Sequence, residues 1–351
     1  MIKRILAGLL GAAALGSSLA ACGTASATLA AGGDCAAVLA PATREVDSAA
    51  ARRGLPGGFV LVLKGDQVVC SHHFGSERTA TRVPIASASK WLTAVAVLTL
   101  VDEGKLSLDE PISVKLPEFQ GAAGQITLRQ LLSHTSGIAS SQLCLLDRGT
   151  SLASCTTEIA ATPLNYAPGE AFSYGSSSFQ VAGRLAEIAA GESWNRLFKH
   201  RVADPLGIPS TSFSGSNPLL AGGGSSTGDE YARVLRMIAT RGSHGGRRIL
   251  SDTAIAAMAR DYVGNAPLAF TPRNDAHGYG LGAWRDAVDA SGAATQLSSP
   301  GSSGFYPWVD FKRDIVGIVW FPAIGADDGA WFALTQFIQA NVRQAHDAGQ
   351  L

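Results

Sequence analysis

Ser87-Ala88-Ser89-Lys90 sets a hydroxyl and an amine three residues apart. On a helix that spacing puts both side chains on one face, so Ser87 Oγ and the Lys90 amine can meet. Such a pair supports acyl transfer: the hydroxyl attacks a carbonyl, and the amine, once neutral, takes its proton. Of the seven lysines, only Lys90 has a serine three positions before it. The same tetrapeptide also reads as a plain helix N-cap, with Lys90 extending its charge to solvent.

The elements around the pair favour the chemical reading. Ala88–Glu103 is apolar almost all round, which describes a buried helix, and Gly104 follows as its stop. Ser87 then stands where the chain enters the helix, so its N–H is an orphan donor at the positive end of the dipole. Desolvation would lower the pKa of Lys90 in the first turn. Gly58–Lys64 and Gln67–His72 are strand-like runs around Gly65-Asp66, a hairpin signal. Gly304–Asp310 and Ile315–Phe321 make a second hairpin, and Ser178–Ala190, Glu230–Thr240 and Ala330–His346 read as helices. Strands at both ends with helices between them describe an α+β fold. One antiparallel sheet is built from both termini and flanked by helices, with a mainly helical region inserted. The expected division is a sheet domain over 41–115 and 276–351 and a helical domain over 116–275.

Further strings accompany the pair. Leu131-Leu132-Ser133-His134-Thr135-Ser136-Gly137 is one. Pro168-Gly169-Glu170-Ala171-Phe172-Ser173-Tyr174-Gly175-Ser176 puts a tyrosine just before a helix. Tyr279-Gly280-Leu281-Gly282 and Ser299-Pro300-Gly301-Ser302-Ser303-Gly304 follow, the last leading into a strand. In order and context these resemble the serine β-lactamase and penicillin-binding superfamily. The resemblance is to its class C-like branch, with the related D-aminopeptidases and family VIII-type carboxylesterases, and it runs from about Asp47 to Phe337. It implies Ser87 as acylated nucleophile, Lys90 as its partner and Tyr174 as proton shuttle, with a pKa pulled down by the nearby ammonium. It also implies an oxyanion hole from the backbone N–H groups of Ser87 and Ser302, and substrate contacts at Ser176, Ser299 and Gly301. Two positions depart from the family pattern. Ser176 replaces a carboxamide, and Ser299 stands where a Lys or His commonly meets the substrate carboxylate. Losing that charge-assisted contact weakens carboxylate binding by roughly one to two decades. The expectation is therefore an esterase or amidase acting on uncharged acyl groups. The alternatives are a D-alanyl-D-alanine carboxypeptidase or weak β-lactamase, and a non-catalytic ligand-binding lipoprotein.

Lys+Arg and Asp+Glu both number 28, so the chain lacks the basic excess of a nucleic-acid binder. The expected partner is a small acyl substrate (an ester, an amide or a cell-wall peptide), with no metal or organic cofactor and no signal for an oligomeric state. Lys3 and Arg4 precede an apolar stretch ending in Leu19-Ala20-Ala21-Cys22, which looks like a bacterial lipobox. Residues 1–21 would be the signal peptide, 22–40 a flexible tether, and Cys22 the lipidated residue, so that a lipid anchor is the sole membrane contact. The protein would then be exported to the bacterial cell envelope, in the periplasm or at the cell surface. Four further cysteines in an exported protein suggest disulfides, with three possible pairings. Cys144 and Cys155 flank one short loop and are expected to pair, leaving Cys35 with Cys70; buried free thiols are the alternative. Gly224-Ser225-Ser226-Thr227-Gly228 spells a nucleophile elbow but lacks the strand before it, and reads better as a capping box of Thr227 with Glu230. His134 reads as a structural loop histidine. His72 and His73 point to opposite faces of a strand and suit no metal. Trp91, Tyr306 and Trp308 could line an acyl cleft, although such residues are more often core.

Overall fold

The computed structural model describes residues 35–322 and 328–351; the expected signal peptide, Cys22 and most of the tether lie outside them. Six antiparallel strands form the main sheet: Gly57–Lys64 (β1), Gln67–Gly75 (β2), Trp284–Val288 (β3), Ala294–Ser298 (β4), Phe305–Asp310 (β5) and Ile315–Trp320 (β6). Their spatial order is β2-β1-β6-β5-β4-β3, so the N-terminal hairpin is built onto the C-terminal strands. Phe59 faces Trp320, and Leu61 faces Ile318, across the β1–β6 seam. β1, β5 and β6 are buried along nearly their whole length, which explains why they read as continuous apolar runs rather than alternating ones.

Alternation decides which layer each side chain joins. Val60, Val62, Trp308 and Val319 pack with Leu39 and Val46, and with Ile338 and Val342. Leu39 ends the short turn Ala37–Leu39, Val46 belongs to helix Ala40–Arg53 (α1), and Ile338 and Val342 belong to helix Asp328–Asp347 (α5); together they cover one face. Phe59, Leu61, Val316 and Ile318 point the other way, into the core of the helical region. At the centre of that core is Ser89–Asp102 (α2), with every residue from Ser89 to Leu100 buried. Gly104, at φ 68°, lies just beyond it, where the sequence places the stop.

Ser177–Ala190 (α3) and Gly228–Ala239 (α4) are the other long helices that bear on the site. Thr227 caps α4 by accepting the Glu230 N–H at 3.1 Å. The expected reciprocal half of the box is replaced, because the Glu230 carboxylate accepts from Ser210 N–H and Thr211 Oγ1 instead. Arg236 on the same helix is buried and donates to Asp66 and Asp314, fastening both hairpin turns to the helical layer. Cys35 is bonded to Cys70, and Cys144 to Cys155.

Candidate active site

Ala86–Ala88 forms a single tight turn that runs into α2 at Ser89. Ala86 sits at φ 43°, left-handed for a residue with a Cβ, at a cost of about 1–3 kcal/mol. Tertiary bonds hold this conformation. Ile85 N–H donates to Gly224 O at 3.1 Å, Ser299 Oγ donates to Ser87 O at 3.2 Å, and Tyr231 OH donates to Ala88 O at 2.8 Å. The backbone on both sides of Ser87 is thereby fixed. Its N–H belongs to the first turn of a helical segment, where no intrahelical acceptor exists.

Lys90 is not the solvated side chain of the N-cap alternative. It is 1% exposed. Its Nζ lies 3.2 Å from Ser87 Oγ, donates to Ala221 O at 3.0 Å, and sits 4.5 Å from the centroid of the Tyr174 ring. The loop that supplies Ala221 is itself tied to α2, by Gly224 N–H to Ser89 Oγ and by Thr93 Oγ1 to Leu220 O. Burial without a carboxylate to offset it lowers the Lys90 pKa to about 7, so a large fraction of the amine is neutral near neutrality.

Tyr174 follows the two-residue strand Phe172–Ser173, which pairs in parallel with Leu268–Phe270. Ser173 N–H donates to His134 O, and Tyr174 N–H donates to Phe270 O, each at 2.9 Å. Gly175 is required by proximity, since a Cβ there would come within 2.4 Å of Ser140 O. The pKa of Tyr174 departs from expectation. Burial raises it to about 12, against the smaller opposing influence of a hydrogen bond with Ser87 and of the charge on Arg273. Tyr174 is therefore a phenol at neutral pH, and Lys90 is the group poised to accept a proton. His134 lies 4.6 Å, centroid to centroid, from the Tyr174 ring and close to Phe179 and Tyr279. Burial, then the charge of Lys90, holds its pKa well below the usual histidine value, so it packs as a neutral ring.

Across the cleft, the segment after β4 behaves differently from its expected role. Ser299 is 2% exposed, and its one hydroxyl proton is shared between Ser87 O and Gly282 O, so it clamps the Ser87 backbone rather than facing the cavity. Its neighbour Ser298 points the other way, as strand alternation requires, and contacts Arg273 and Asp286. Gly301 packs so closely that a Cβ would meet Ile85 O at 2.1 Å. Ser302 is exposed, and both it and Ser87 line the same cavity; Ser176 is half-buried and does not line it.

That cavity, of about 720 Å³, is walled by Tyr174, Phe270, Trp284, Trp331 and Phe332, with Arg273 and Asp275 on a loop at its side. The three aromatics suggested by the sequence are elsewhere. Trp91, Tyr306 and Trp308 are each at most 1% exposed, and Trp91 Nε1 donates to Met258 Sδ. The Gly224–Gly228 string sits outside the cavity lining, with Thr227 used as a helix cap. His72 is paired with Asp47 at 2.7 Å. Among the described residues no His/Cys/Asp/Glu group has the arrangement of a metal site. None of the described helices is long and apolar enough to cross a membrane.

Comparison with known proteins agrees with this architecture. Protein flp of Staphylococcus aureus (strain N315) is 29% identical over 178 residues, covering 46% of the chain but only 36% of flp. Esterase EstB of Burkholderia gladioli is 30% identical over 212 residues, covering 53% of the chain and 54% of EstB. The chain thus spans about a third to a half of the length of these curated relatives. The solved structure of a putative beta-lactamase from Bacteroides dorei DSM 17855 superposes with a TM-score of 0.81 at 35% identity, covering 88% of this chain and 99% of that one. With the Beta-lactamase family profile matching residues 42–323 and the Ser87 turn, buried lysine and antiparallel sheet in place, the chain belongs to the Beta-lactamase family.

Proposed function

We propose that the protein is a serine hydrolase that forms an acyl-enzyme at Ser87, acting as an esterase or amidase on uncharged acyl substrates. The observation that carries this reading is the buried Lys90 amine, 3.2 Å from Ser87 Oγ, with a pKa brought to about 7. Ser87 attacks the acyl carbonyl as neutral Lys90 takes its proton. The oxyanion is met by the N–H groups of Ser87 and Ser302. Tyr174, protonated and next to Ser87, gives its proton to the departing alcohol or amine and is recharged from Lys90. Water then repeats the sequence on the acyl-enzyme. The likeness to EstB supports ester chemistry.

The family name supplies the alternative of a β-lactamase or a D-alanyl-D-alanine carboxypeptidase. Either would need a cation for the substrate carboxylate, and Ser299 offers a hydroxyl committed to backbone. The same proposal includes export and lipidation at Cys22, supported by the Leu19-Ala20-Ala21-Cys22 string and by two disulfides in the folded domain. The test is turnover of p-nitrophenyl esters by the wild type and Ser87→Ala, with intact-mass detection of the acyl-enzyme. Undiminished turnover in Ser87→Ala refutes the assignment; absence of any Ser87 adduct favours a non-catalytic ligand-binding role.

A further inference from the structure

Arg273 and Asp275 are the charged side chains among the described residues that line the cavity. Residues 323–327, next in sequence to the described wall, contain no Lys or Arg. The Arg273 guanidinium is already engaged. Nε and Nη2 donate to the two oxygens of Asp275 at 3.0 and 2.8 Å, and Nη1 donates to Asp286 Oδ1 at 2.7 Å and Ser298 Oγ at 3.0 Å. Four of its five N–H groups are used. Its faces are covered by Trp284 and Phe332, 5.5 and 4.9 Å from the ring centroids. Arg273 is 8% exposed, whereas the Asp275 side chain is 42% exposed and also anchored by Gln336. Among the described residues the charge that meets the cavity is therefore a carboxylate, and the lining cation is shared between two acids.

We propose that Asp275 is a specificity-determining residue: by occupying the fork of Arg273, it converts the cavity's cationic side chain into an acidic rim that rejects acyl groups bearing a carboxylate. This rests on the acyl-transfer reading above and names its substrate class. Accepted acyl groups are neutral and apolar or aromatic, and anionic ones of the same length are excluded. Asp275→Asn removes the negative charge, keeps one acceptor for Arg273 and leaves part of the fork open to an incoming carboxylate.

The experiment compares kcat/KM for p-nitrophenyl butyrate and p-nitrophenyl hemisuccinate, on the full chain and its Asp275→Asn variant, at low and high salt. The neutral-to-anionic ratio is the readout. The wild type should favour the neutral ester by about tenfold or more, and the preference should shrink as salt screens the rim. In Asp275→Asn the ratio should fall by about tenfold, mainly through KM of the anionic ester. Equal use of both esters by the wild type, or an unmoved ratio in the variant, overturns the inference. If the variant does not fold, the wild-type salt series decides, and a preference insensitive to salt refutes it. Ser87-dependent turnover of the butyrate without charge discrimination sinks this inference alone. Loss of that turnover sinks the proposed function, and this inference with it.

Discussion

Replacing Lys90 by methionine should remove activity and, unusually for a core substitution, make the protein more stable below about pH 9. Lys90 has a pKa of 10.5 as an ordinary lysine and about 7 in the fold. The unfolded chain therefore holds a proton that the folded chain releases across that window, so stability rises with pH between the two values and is lost as pH falls towards 7. Each tenfold change in the ionisation constant counts about 1.4 kcal/mol, which puts the full penalty at about 5 kcal/mol on the acid side. At pH 7, with about half the native amines protonated, the penalty is about 4 kcal/mol; by pH 9 it has fallen to about 2 kcal/mol. Lys90→Met keeps the length of the side chain and gives up the bonds to Ser87 and Ala221. That loss shifts the whole difference by a constant but leaves its slope alone. The assay is urea unfolding of both proteins from pH 6 to pH 10 at fixed ionic strength. The stability difference should narrow by about 1 kcal/mol per pH unit between pH 7 and pH 10. The same proton should appear in the wild-type rate profile, with kcat/KM rising with pH through about 7. A pH-independent difference would falsify the claim that Lys90 is buried largely as a free amine, and with it the assignment of Lys90 as base.

Other substitutions test the remaining parts. Tyr174→Phe should lower kcat by roughly a hundredfold or more, with little change in KM, because the phenol is a proton donor rather than a binding contact; steady-state kinetics on one ester separates the two. Gly301→Ala forces a Cβ to 2.1 Å from Ile85 O, so either the turn bearing Ser87 or the segment after β4 must move. A stability loss of about 1–3 kcal/mol together with a fall in kcat is expected by thermal melting and ester assay, and an unchanged rate would contradict the geometry. Cys22→Ser should abolish incorporation of labelled palmitate and release the protein from the membrane fraction, whereas a wild type that takes up no label would remove lipidation from the proposal.

Much of the frame was readable because it is local. The Ser87–Lys90 pairing needs only helical spacing, and the placement of α2 follows from a run apolar on every side. The two hairpins declared themselves by turn residues, and Thr227 by its capping position. The cavity wall was not readable, for a physical reason. Phe270, Arg273, Trp284 and Trp331 come from a short strand, a loop, a sheet edge and the last helix, and long-range packing alone brings them together. The direction of Ser299 was also hidden. Its position suggested a substrate contact, but strand alternation sends its hydroxyl to Ser87 O and gives Ser298 the side facing Arg273. Tyr174 was legible as a residue but not as an acid, because its raised pKa depends on how completely the helical region buries it.

The seam between β1 and β6 also bears on the order in which the molecule can be assembled. β1 is interior to the sheet, yet the strand that completes it is the last to be synthesised, and the clamp from Ser299 to Ser87 joins residues 212 positions apart. A nascent chain therefore carries Ser87 and Lys90 before it has the strand, the cavity wall or the clamp that surround them in the fold. Contacts of such sequence separation form slowly, because the loop-closure entropy precedes any gain from pairing. The turn bearing Ser87 therefore gains its clamp only after the segment that follows β4 has been made. The setting of Ser87 and the completion of the sheet depend on the same late-made segment.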